Sequence, residues 1–530
     1  MPNPFDEQIY LYGPPYSGKS SVGALLAAAL DLPFIDLDHE IEKQSNLLIP
    51  LIFQDSGEAG FRQRESEVLA QIIQGGPAVV ALGGGALLAD ENRRRVEGRG
   101  QVVCFTPAID TLLERAANDS GIRPLLHATP ADRNNPSKMA ERMSELLEQR
   151  ADHYNSFQNT LRSNSSDPAE LVELAQIKLG RFHVRGMGNP YEVLVRSGLR
   201  FHLADILRGG QLHGPAALLA DPQVAEWHAE ALVDQLSKAG MPVVLLTFPG
   251  GEKNKTIASV ATIWQAMLAQ GIERRSTLIA LGGGVTSDLG GYAAAAYMRG
   301  IPWIAMPTSL LGMVDASIGG KTGVDLEDAK NIVGAFHPPR LVLVDPDFLD
   351  TLPAEEFDNG MAEVIKAGII GDEELFQLCS QGRAVIESRL PEVIARAIAV
   401  KVRVIQADPF ETGLRAVLNL GHTLGHALEV VSGYGMRHGE AVAAGMTAVA
   451  RLAERRGLAE PGLVGKIGAA LQNFNLPTAL APTASAQALL EAMRKDKKRA
   501  SGGHRFVLPH RIGQVTYGNE IDEAEICTLF

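Results

Sequence analysis

Residues 8–20 constrain the fold most strongly, because they join a strand pattern, a glycine-rich loop and the start of a helix pattern. Residues 8–12 predict a strand, residues 13–20 read GPPYSGKS, and residues 22–30 predict a helix. In a G-x-x-x-x-G-K-S loop of this kind, backbone N–H groups and the helix N-terminus face phosphate oxygens. The lysine reaches the β- and γ-phosphates, and the serine hydroxyl binds Mg²⁺. The first part of the chain is therefore predicted to be an α/β P-loop domain that binds ATP with Mg²⁺.

The loop supplies the predicted ATP ligands, which are Gly13, Ser17, Gly18, Lys19, Ser20 and Ser21. A second strand pattern, residues 34–38, ends in two acids, and period-two geometry points both carboxylates the same way. Ser20 is predicted to bind Mg²⁺, and the two carboxylates, Asp36 and Asp38, suit Mg²⁺ water binding and orientation of an acceptor hydroxyl. A solvated strand end is the alternative. Arg123 follows a helix pattern and could close over the nucleotide as part of a lid.

Residues up to about 175 resemble shikimate kinase, a small P-loop kinase. The resemblance rests on the P-loop and on four further motifs in order, D-x-D at 36–38, FRQRE at 61–65, GGG at 83–85 and RPLL at 123–126. It implies that Arg123 contacts ATP phosphates and that Asp38 contacts a ring hydroxyl, both as catalytic residues. The implied shikimate ligands are Asp38, Arg62, Gly84, Gly85 and Arg150. A nucleotide-binding regulatory module without catalysis is the alternative; the joint presence of Lys19, Ser20, Asp38 and Arg123 argues against it.

A domain boundary is predicted at residues 181–190, where glycines and a proline interrupt any clean periodicity. The kinase-like domain is therefore expected at 1–180, with 181–190 as a linker. Strand patterns at 191–196, 216–221, 243–248 and 277–282 then alternate with helix patterns. This alternation predicts a parallel sheet within an α/β half at 191–350. After about residue 350 the periodicity is helical, which predicts an all-α half at 351–530.

A second glycine turn, residues 282–284, lies between a predicted strand and a predicted helix. Such a turn exposes bare N–H groups to a pyrophosphate. The spacing is not G-x-G-x-x-G, so a merely structural turn is the alternative.

Three histidines and one glutamate form a candidate metal site in the helical half. His422 and His426 are four residues apart, which places both imidazoles on one helix face. His438 begins the next helix pattern, and Glu363 lies three residues before Lys366. Two imidazoles and one carboxylate with an open position form a catalytic zinc set. The spacing leaves open which histidines bind metal, and ordinary hydrogen-bonded helix histidines remain the alternative.

The net charge of −13 argues against nucleic-acid and membrane-surface partners. Anionic substrates would therefore need locally gathered basic residues, and each candidate could instead be a solvated surface charge. The candidates for one cleft are Arg299, Lys321, Lys330, Lys366, Lys401, Arg415, Lys497 and Lys498. Three widely spaced cysteines give no disulfide framework, the N-terminus lacks a signal-peptide pattern, and no apolar run reaches about 18 residues. We therefore expect a cytoplasmic protein with no membrane-spanning helix.

From about residue 190 onward the chain resembles 3-dehydroquinate synthase. The resemblance rests on GGGVTSDLGG at 282–291, YMRG at 297–300, DASIGGK at 315–321, KN at 330–331, AEVIK at 362–366, the Arg415–His426 segment and HGE at 438–440. It implies that Glu363, His422 and His438 bind Zn²⁺, with Co²⁺ possible, and that His426 handles protons instead. The implied NAD ligands are Asp221, Glu252, Lys255, Gly283, Gly284, Asp288, Thr308, Ser309, Asp315, Lys321 and Lys330.

The same resemblance implies a substrate site for a seven-carbon keto-acid sugar phosphate. Its implied ligands are Arg299, Lys321, Asn331, Lys366, Lys401, Arg415, Asn419, His426, Lys497 and Lys498. The implied catalytic residues are Lys366, Lys321, His426, Arg299 and Asn331. A homodimer through this part is also implied. The alternatives are another sugar-phosphate cyclase or a metal- and NAD-dependent polyol dehydrogenase, which would release NADH.

Overall fold

The computed structural model describes residues 3–119, 126, 136–212, 214–327, 329–480, 485–497 and 505–529. It divides into two compact units, Met1–His183 and Val184–Phe530. The predictions for Arg123 and Lys498 lie outside the described residues, and so does the Lys497 side chain. Among the described residues, no helix is both long enough and apolar enough to cross a bilayer.

The first unit is built on a five-stranded parallel sheet in the order β2-β3-β1-β4-β5. The strands are β1 (Gln8–Tyr12), β2 (Phe34–Asp36), β3 (Val79–Ala81), β4 (Gly100–Phe105) and β5 (Asn159–Leu161). The helices are α1 (Lys19–Leu30), α2 (Leu37–Ser45), α3 (Ile49–Ile73), α4 (Asp90–Arg99), α5 (Ile109–Ala117), α6 (Pro136–Asn155) and α7 (Pro168–Leu179). Every residue of β1 is buried, as expected of a central parallel strand covered on both faces. The sequence-predicted strand–loop–helix order is confirmed.

The predicted strand at 34–38 is wrong in its second half. Strand β2 ends at Asp36, whose side chain accepts hydrogen bonds from the backbone N–H groups of Asp38 and His39. A carboxylate in this position satisfies the unpaired donors of a helix N-terminus, so α2 begins at Leu37. Asp36 and Asp38 therefore reach their positions through a helix cap, and not through strand alternation.

The second unit contains a seven-stranded sheet in the order β6-β7-β14-β11-β10-β8-β9 and two separate hairpins. Its strands are β6 (Arg181–Val184), β7 (Tyr191–Val195), β8 (Ala216–Ala220), β9 (Val243–Thr247), β10 (Thr277–Gly282), β11 (Trp303–Pro307), β12 (Lys321–Leu326), β13 (Ala329–Phe336), β14 (Leu341–Val344), β15 (Arg505–Arg511) and β16 (Gln514–Glu520). In the sheet order from β7 through β14, β11, β10 and β8 to β9, every neighbouring pair of strands is parallel. This confirms the predicted parallel sheet.

The helices of the second unit are concentrated after β14. They are α8 (Leu203–Gly209), α9 (Pro222–Val224), α10 (Glu230–Lys238), α11 (Ile257–Ala269), α12 (Gly284–Ala296), α13 (Ala354–Gly371), α14 (Glu373–Ser380), α15 (Arg383–Ser388), α16 (Leu390–Ala407), α17 (His422–Val431), α18 (His438–Arg455), α19 (Leu463–Gln472), α20 (Ala486–Lys497) and α21 (Glu523–Cys527). Both α13 and α18 are buried along most of their length, which makes them the core of this half.

Two predictions about this unit need correction. Residues 181–184, expected in a linker, form β6 at the edge of the seven-stranded sheet, and the division between the units falls inside this strand. The half expected to be all-α contains the hairpin β15–β16. The other hairpin, β12–β13, was also not predicted, although Lys321, Lys330 and Asn331 lie on it.

Candidate active sites

The first cavity, about 720 Å³, surrounds the P-loop of the first unit. Its lining includes ten residues predicted from the sequence: Gly18, Lys19, Ser20, Ser21, Asp36, Asp38, Arg62, Gly84, Gly85 and Arg150. Gly18 has φ +93° and caps α1, a left-handed conformation that favours glycine. Gly13 and Ser17 lie behind the cavity, where the Lys19 ammonium donates to the Gly13 carbonyl at 2.9 Å and to Ser17 Oγ at 3.1 Å. The structure therefore assembles the predicted ATP-binding loop.

The predicted magnesium ligands are neighbours, since Ser20 Oγ donates to Asp36 Oδ2 at 2.6 Å. Opposite them, the Gly84 carbonyl accepts from Arg150 Nη1 at 3.0 Å and from the Tyr154 hydroxyl at 2.7 Å. These bonds hold the glycine segment after β3 in place. The sequence analysis did not identify Tyr154, although it lies one helical turn after Arg150 on α6.

A buried carboxylate that the sequence analysis did not single out lies beside Arg62. Glu65 is 1% exposed, and Arg62 Nη1 donates to its Oε2 at 2.7 Å. Burial raises the pKa of the Glu65 carboxyl, and the charge of Arg62 opposes that shift. Arg62 also donates to Glu58 Oε1 from Nη2 at 3.2 Å, so two carboxylates fix its orientation at the cavity.

In the second unit, the carboxyl ends of three adjacent parallel strands bring the predicted NAD residues to one edge of the sheet. Asp221 follows β8, Gly283 and Gly284 follow β10, and Thr308 and Ser309 follow β11. The N-terminus of α12 begins at Gly284, so its unpaired N–H groups lie at the same edge. This is where open α/β sheets bind ligands.

Charged residues continue this site toward the hairpin β12–β13. Lys255 is buried, and its ammonium lies 2.5 Å from both Asp288 Oδ2 and Asn331 Oδ1. Burial raises the pKa of Asp288 to about 6, although Lys255 opposes the shift. Lys330 Nζ lies 3.6 Å from Glu252 Oε1. The predicted NAD residues are therefore connected through side-chain contacts as well as by the sheet edge.

A second cavity, about 610 Å³, is lined by residues from both halves of this unit. The predicted residues along it are Asp288, Asp315, Lys321, Asn331, Lys366, Lys401, Arg415, Asn419 and His422. Glu411, which was not predicted, also lines it; it pairs with Lys321 and accepts from Asn419 Nδ2 at 3.3 Å. Four of these residues, Lys321, Lys366, Lys401 and Arg415, are cationic. They provide the local group of basic residues that an acidic chain needs in order to bind anionic substrates.

The structure does not bring Arg299 to this cavity. Arg299 follows the C-terminal end of α12, whereas Gly284 begins that helix. A helix of this length separates its ends by roughly 18 Å. Arg299 is therefore absent from the lining of this cavity, and its role as a substrate ligand stays a prediction.

The candidate metal centre joins α13, α17 and α18. His422 Nε2 lies 3.6 Å and His438 Nε2 lies 3.7 Å from the same oxygen, Glu363 Oε1. Among the described residues this oxygen is buried without a hydrogen-bond partner, while Oε2 of the same carboxylate pairs with Lys366. A buried carboxylate oxygen left unpaired between two imidazole nitrogens fits a divalent cation.

The electrostatics of this centre also suit a cation. Burial opposes ionisation of Glu363, but Lys366 and the imidazoles hold the pKa of that carboxyl well below its usual value. Burial, with the charge of Lys366, lowers the pKa of His422 to about 3. A neutral His422 imidazole beside an ionised carboxylate is the protonation state in which both groups bind metal. For His438, burial lowers the pKa, but hydrogen bonds to Glu363 and Glu429 outweigh burial and raise it to about 9, so a cation at this position displaces a proton.

His426, Glu429 and His438 form a second group with potential ligand atoms close together. Here His438 Nδ1 lies 3.0 Å from Glu429 Oε1 in a hydrogen bond. That contact engages both groups, and His426 is exposed at its edge. The first group therefore fits a metal better, which agrees with the separate role expected of His426. Glu429 was missed, although it lies seven residues after His422 on the same helix face.

Comparison with known proteins identifies the second unit. The 3-dehydroquinate synthase N-terminal model matches residues 245–359, and the 3-dehydroquinate synthase C-terminal model matches residues 360–499. A Synechocystis sp. 3-dehydroquinate synthase is 43% identical over 349 residues, covering 64% of this chain and 97% of that protein. The chain belongs to the 3-dehydroquinate synthase family. A Synechococcus sp. 3-dehydroquinate synthase is 45% identical over 347 residues, covering 64% of this chain and 93% of that protein.

The remaining comparisons concern the fold of the synthase part and the identity of the first unit. The structure of 2-epi-5-epi-valiolone synthase from Streptomyces hygroscopicus, with NAD⁺ and Zn²⁺ bound, has a TM-score of 0.60 and 32% identity, covering 64% of this chain and 95% of that one. The shikimate kinase model matches residues 15–177. The chain is thus a bifunctional shikimate-pathway enzyme with a kinase and a cyclising lyase. We call Met1–His183 the kinase unit and Val184–Phe530 the synthase unit.

Proposed function

We propose that the residues assembled in the two cavities carry the two activities. The kinase unit phosphorylates shikimate to shikimate 3-phosphate with ATP. The synthase unit converts 3-deoxy-D-arabino-heptulosonate 7-phosphate to 3-dehydroquinate and phosphate. The observation that carries the synthase assignment is the convergence of Glu363, His422 and His438, distant in sequence, beside a cavity rich in lysine and arginine.

In the kinase unit, Lys19 exchanges its bonds to loop carbonyls for the ATP phosphates, and Ser20 with Asp36 holds Mg²⁺. Arg62 and Arg150 pair with the shikimate carboxylate, for which a guanidinium offers two parallel hydrogen bonds. Asp38 contacts the hydroxyl that is phosphorylated, and Gly84 with Gly85 lets the ring approach the backbone. Arg123 spreads the charge that develops in the transition state. The unit thus works mainly by positioning and charge stabilisation.

In the synthase unit, Glu363, His422 and His438 hold Zn²⁺ or Co²⁺, and the residues at the sheet edge hold NAD⁺. When bound, the metal ion would activate a substrate hydroxyl, and NAD⁺ would take up a hydride and return it. Lys401, Arg415 and Asn419 bind the substrate carboxylate.

Lys321 and Asn331 bind the substrate phosphate. During β-elimination the leaving phosphate itself takes the proton from the carbon next to the ketone. Lys366 supports the Glu363 carboxylate, and His426 handles protons at the cavity edge. The enzyme mainly maintains one substrate conformation while elimination, ring opening and aldol closure proceed.

Three further assignments belong to this proposal. The kinase and synthase activities are independent, and the division into two compact units at 183/184 supports this assignment. The synthase unit associates as a homodimer, as the family resemblance implies. The enzyme works in the cytoplasm, for which three cysteines outside any disulfide are the support.

An assay of the full-length chain on both substrates tests the proposal. Withholding ATP should stop only shikimate phosphorylation, and withholding NAD⁺ or zinc should stop only phosphate release from the heptulosonate phosphate. NADH should not accumulate, because the same cofactor molecule returns its hydride. Net NADH production would instead indicate a dehydrogenase.

A further inference from the structure

We propose that Glu429 is a positioning residue that orients the metal ligand His438 and, through Lys330, couples metal binding to dinucleotide binding. The inference rests on the proposed roles of His438 in the metal site and of Lys330 in the NAD site. It assigns a function to a buried carboxylate that neither cavity includes in its lining.

The first step is the contact between Glu429 and His438. Glu429 is 2% exposed in the last turn of α17, and its Oε1 lies 3.0 Å from His438 Nδ1. An ionised carboxylate only accepts hydrogen bonds, so the proton of this bond is on Nδ1. Nε2, which faces Glu363, is then the nitrogen whose lone pair is available to a cation. A carboxylate in this position fixes both the tautomer and the ring orientation of a metal-binding histidine.

The second step is the other oxygen of the same carboxylate. Glu429 Oε2 lies 3.2 Å from the Lys330 ammonium, which also lies 3.6 Å from Glu252 Oε1 and 5.0 Å from the centre of the Tyr434 ring. Lys330 is on β13, whereas Glu429 and His438 belong to α17 and α18. One carboxylate therefore joins a metal ligand to a cation at the dinucleotide side.

Coupling follows from this shared group. A cation that fixes the His438 ring also fixes the Glu429 carboxylate, and the carboxylate fixes Lys330 next to Glu252. Lys330 is then already ordered when NAD⁺ binds, so the metal raises the affinity for NAD⁺. By thermodynamic reciprocity, NAD⁺ must strengthen metal binding by the same factor.

The test measures two affinities in the full-length chain: zinc by competition with a chelating dye, and NAD⁺ by calorimetry with and without zinc. Glu429→Ala should weaken zinc binding about 10- to 100-fold. Glu429→Gln should weaken it by less than about tenfold, because the amide oxygen still accepts the His438 hydrogen bond. Glu491→Gln, an exposed glutamate on α20, is the matched control and should leave both affinities unchanged.

The coupling factor separates orientation from a merely structural role. Zinc should raise the NAD⁺ affinity of the unmodified chain at least about fivefold, and this factor should approach one in Glu429→Gln, whose neutral amide holds Lys330 weakly. An unchanged factor in Glu429→Gln would overturn the coupling, even if Glu429→Ala fails to fold. A folded Glu429→Ala with the zinc affinity of the parent would overturn the orienting role. His438→Ala binding zinc normally would instead refute the proposed metal site itself.

Discussion

Lys401 and Asp315 form an ion pair in the wall of the synthase cavity, in which Lys401 is buried and Asp315 is half-buried. The Lys401 ammonium lies 2.5 Å from Asp315 Oδ1 and donates to the Asp315 backbone carbonyl at 2.7 Å. Burial opposes ionisation of Asp315, but Lys401 outweighs it and keeps the pKa of that carboxyl below its usual value. The pair joins α16 to the segment that follows β11. Lys401, which is predicted to bind the substrate carboxylate, therefore also holds two walls of the cavity together.

Lys401→Ala should therefore destabilise the synthase unit, because it leaves Asp315 ionised and unpaired. Removing one partner of a fully buried pair costs about 3–5 kcal/mol, and the 30% exposure of the Asp315 side chain lowers the expected cost to about 1–3 kcal/mol. Urea unfolding followed by tryptophan fluorescence measures this selectively, since Trp227, Trp264 and Trp303 all belong to the synthase unit. Lys466→Ala removes the exposed pair with Glu460 and should cost at most about 1 kcal/mol. Equal midpoints for the two variants would contradict the prediction.

Gly421→Ala should disturb the metal centre through the backbone. Gly421 caps α17 with φ +78°, and an added Cβ would lie 2.7 Å from the Val442 carbonyl oxygen. The left-handed conformation costs about 1–2 kcal/mol, and relief of the clash must move His422, the next residue. Zinc affinity should fall at least about tenfold, with kinase activity unchanged.

Gly433→Ala provides the matched control for Gly421→Ala. Its φ of +63° carries the same backbone strain, but an added Cβ meets no atom within 4 Å. Zinc affinity should therefore be unchanged in this variant. A similar loss in both variants would mean that strain alone, and not displacement of His422, weakens the site.

Local patterns predicted the strand, loop and helix of the P-loop, because these depend on a few consecutive residues. Alternating strand and helix patterns likewise predicted that the synthase sheet is parallel, although not the order of its strands. The metal centre was only narrowed to four candidates, since helical spacing puts His422 and His426 on the same face. The structure favours Glu363, His422 and His438, because contacts between distant segments place the His422 and His438 Nε2 atoms 3.6 and 3.7 Å from Glu363 Oε1. Sequence alone does not contain that distance.

The features that the sequence analysis missed have different causes. The hairpin β12–β13 is stabilised by pairing across a turn and by packing against α12, and neither is encoded in a window of alternating residues. Asp38 reads as a strand residue, yet it lies in the first turn of α2, which Asp36 caps. Glu429 could have been found, because its spacing from His422 and His426 follows the helical repeat.

Tyr154→Phe should weaken shikimate binding without abolishing catalysis. The Tyr154 hydroxyl donates to the Gly84 carbonyl at 2.7 Å, beside the bond from Arg150. Loss of one such hydrogen bond costs about 0.5–1.5 kcal/mol, which corresponds to a KM for shikimate about 2- to 12-fold higher. Tyr10→Phe removes a different buried hydroxyl, on β1, which is bonded to Gln8, and should leave KM unchanged. Steady-state kinetics that give equal KM values for the two variants would contradict this role.

Lys19→Ala should abolish only the kinase activity. The Lys19 ammonium is held over the loop by the Gly13 and Pro14 carbonyls at 2.9 and 2.8 Å, within reach of the phosphate position. Loss of a charge that stabilises the transition state should lower kcat by about 10²–10³ or more. Lys43→Ala, an exposed lysine on α2, is the control. Phosphate release by the synthase unit should be unchanged, and loss of both activities would refute independent units.

His422→Ala should remove both zinc and synthase activity. The His422 and His438 Nε2 atoms lie 3.6 and 3.7 Å from one unpaired oxygen of Glu363, so each imidazole supplies one ligand of the proposed site. Elemental analysis after dialysis should show less than about one tenth of the parent's zinc, and chelator treatment of the parent should reproduce the activity loss. His510→Ala, at a half-buried histidine on β15, should retain both. Full zinc occupancy in His422→Ala would show that the ion binds elsewhere, whereas zinc loss with intact shikimate phosphorylation would assign the metal to the synthase reaction alone.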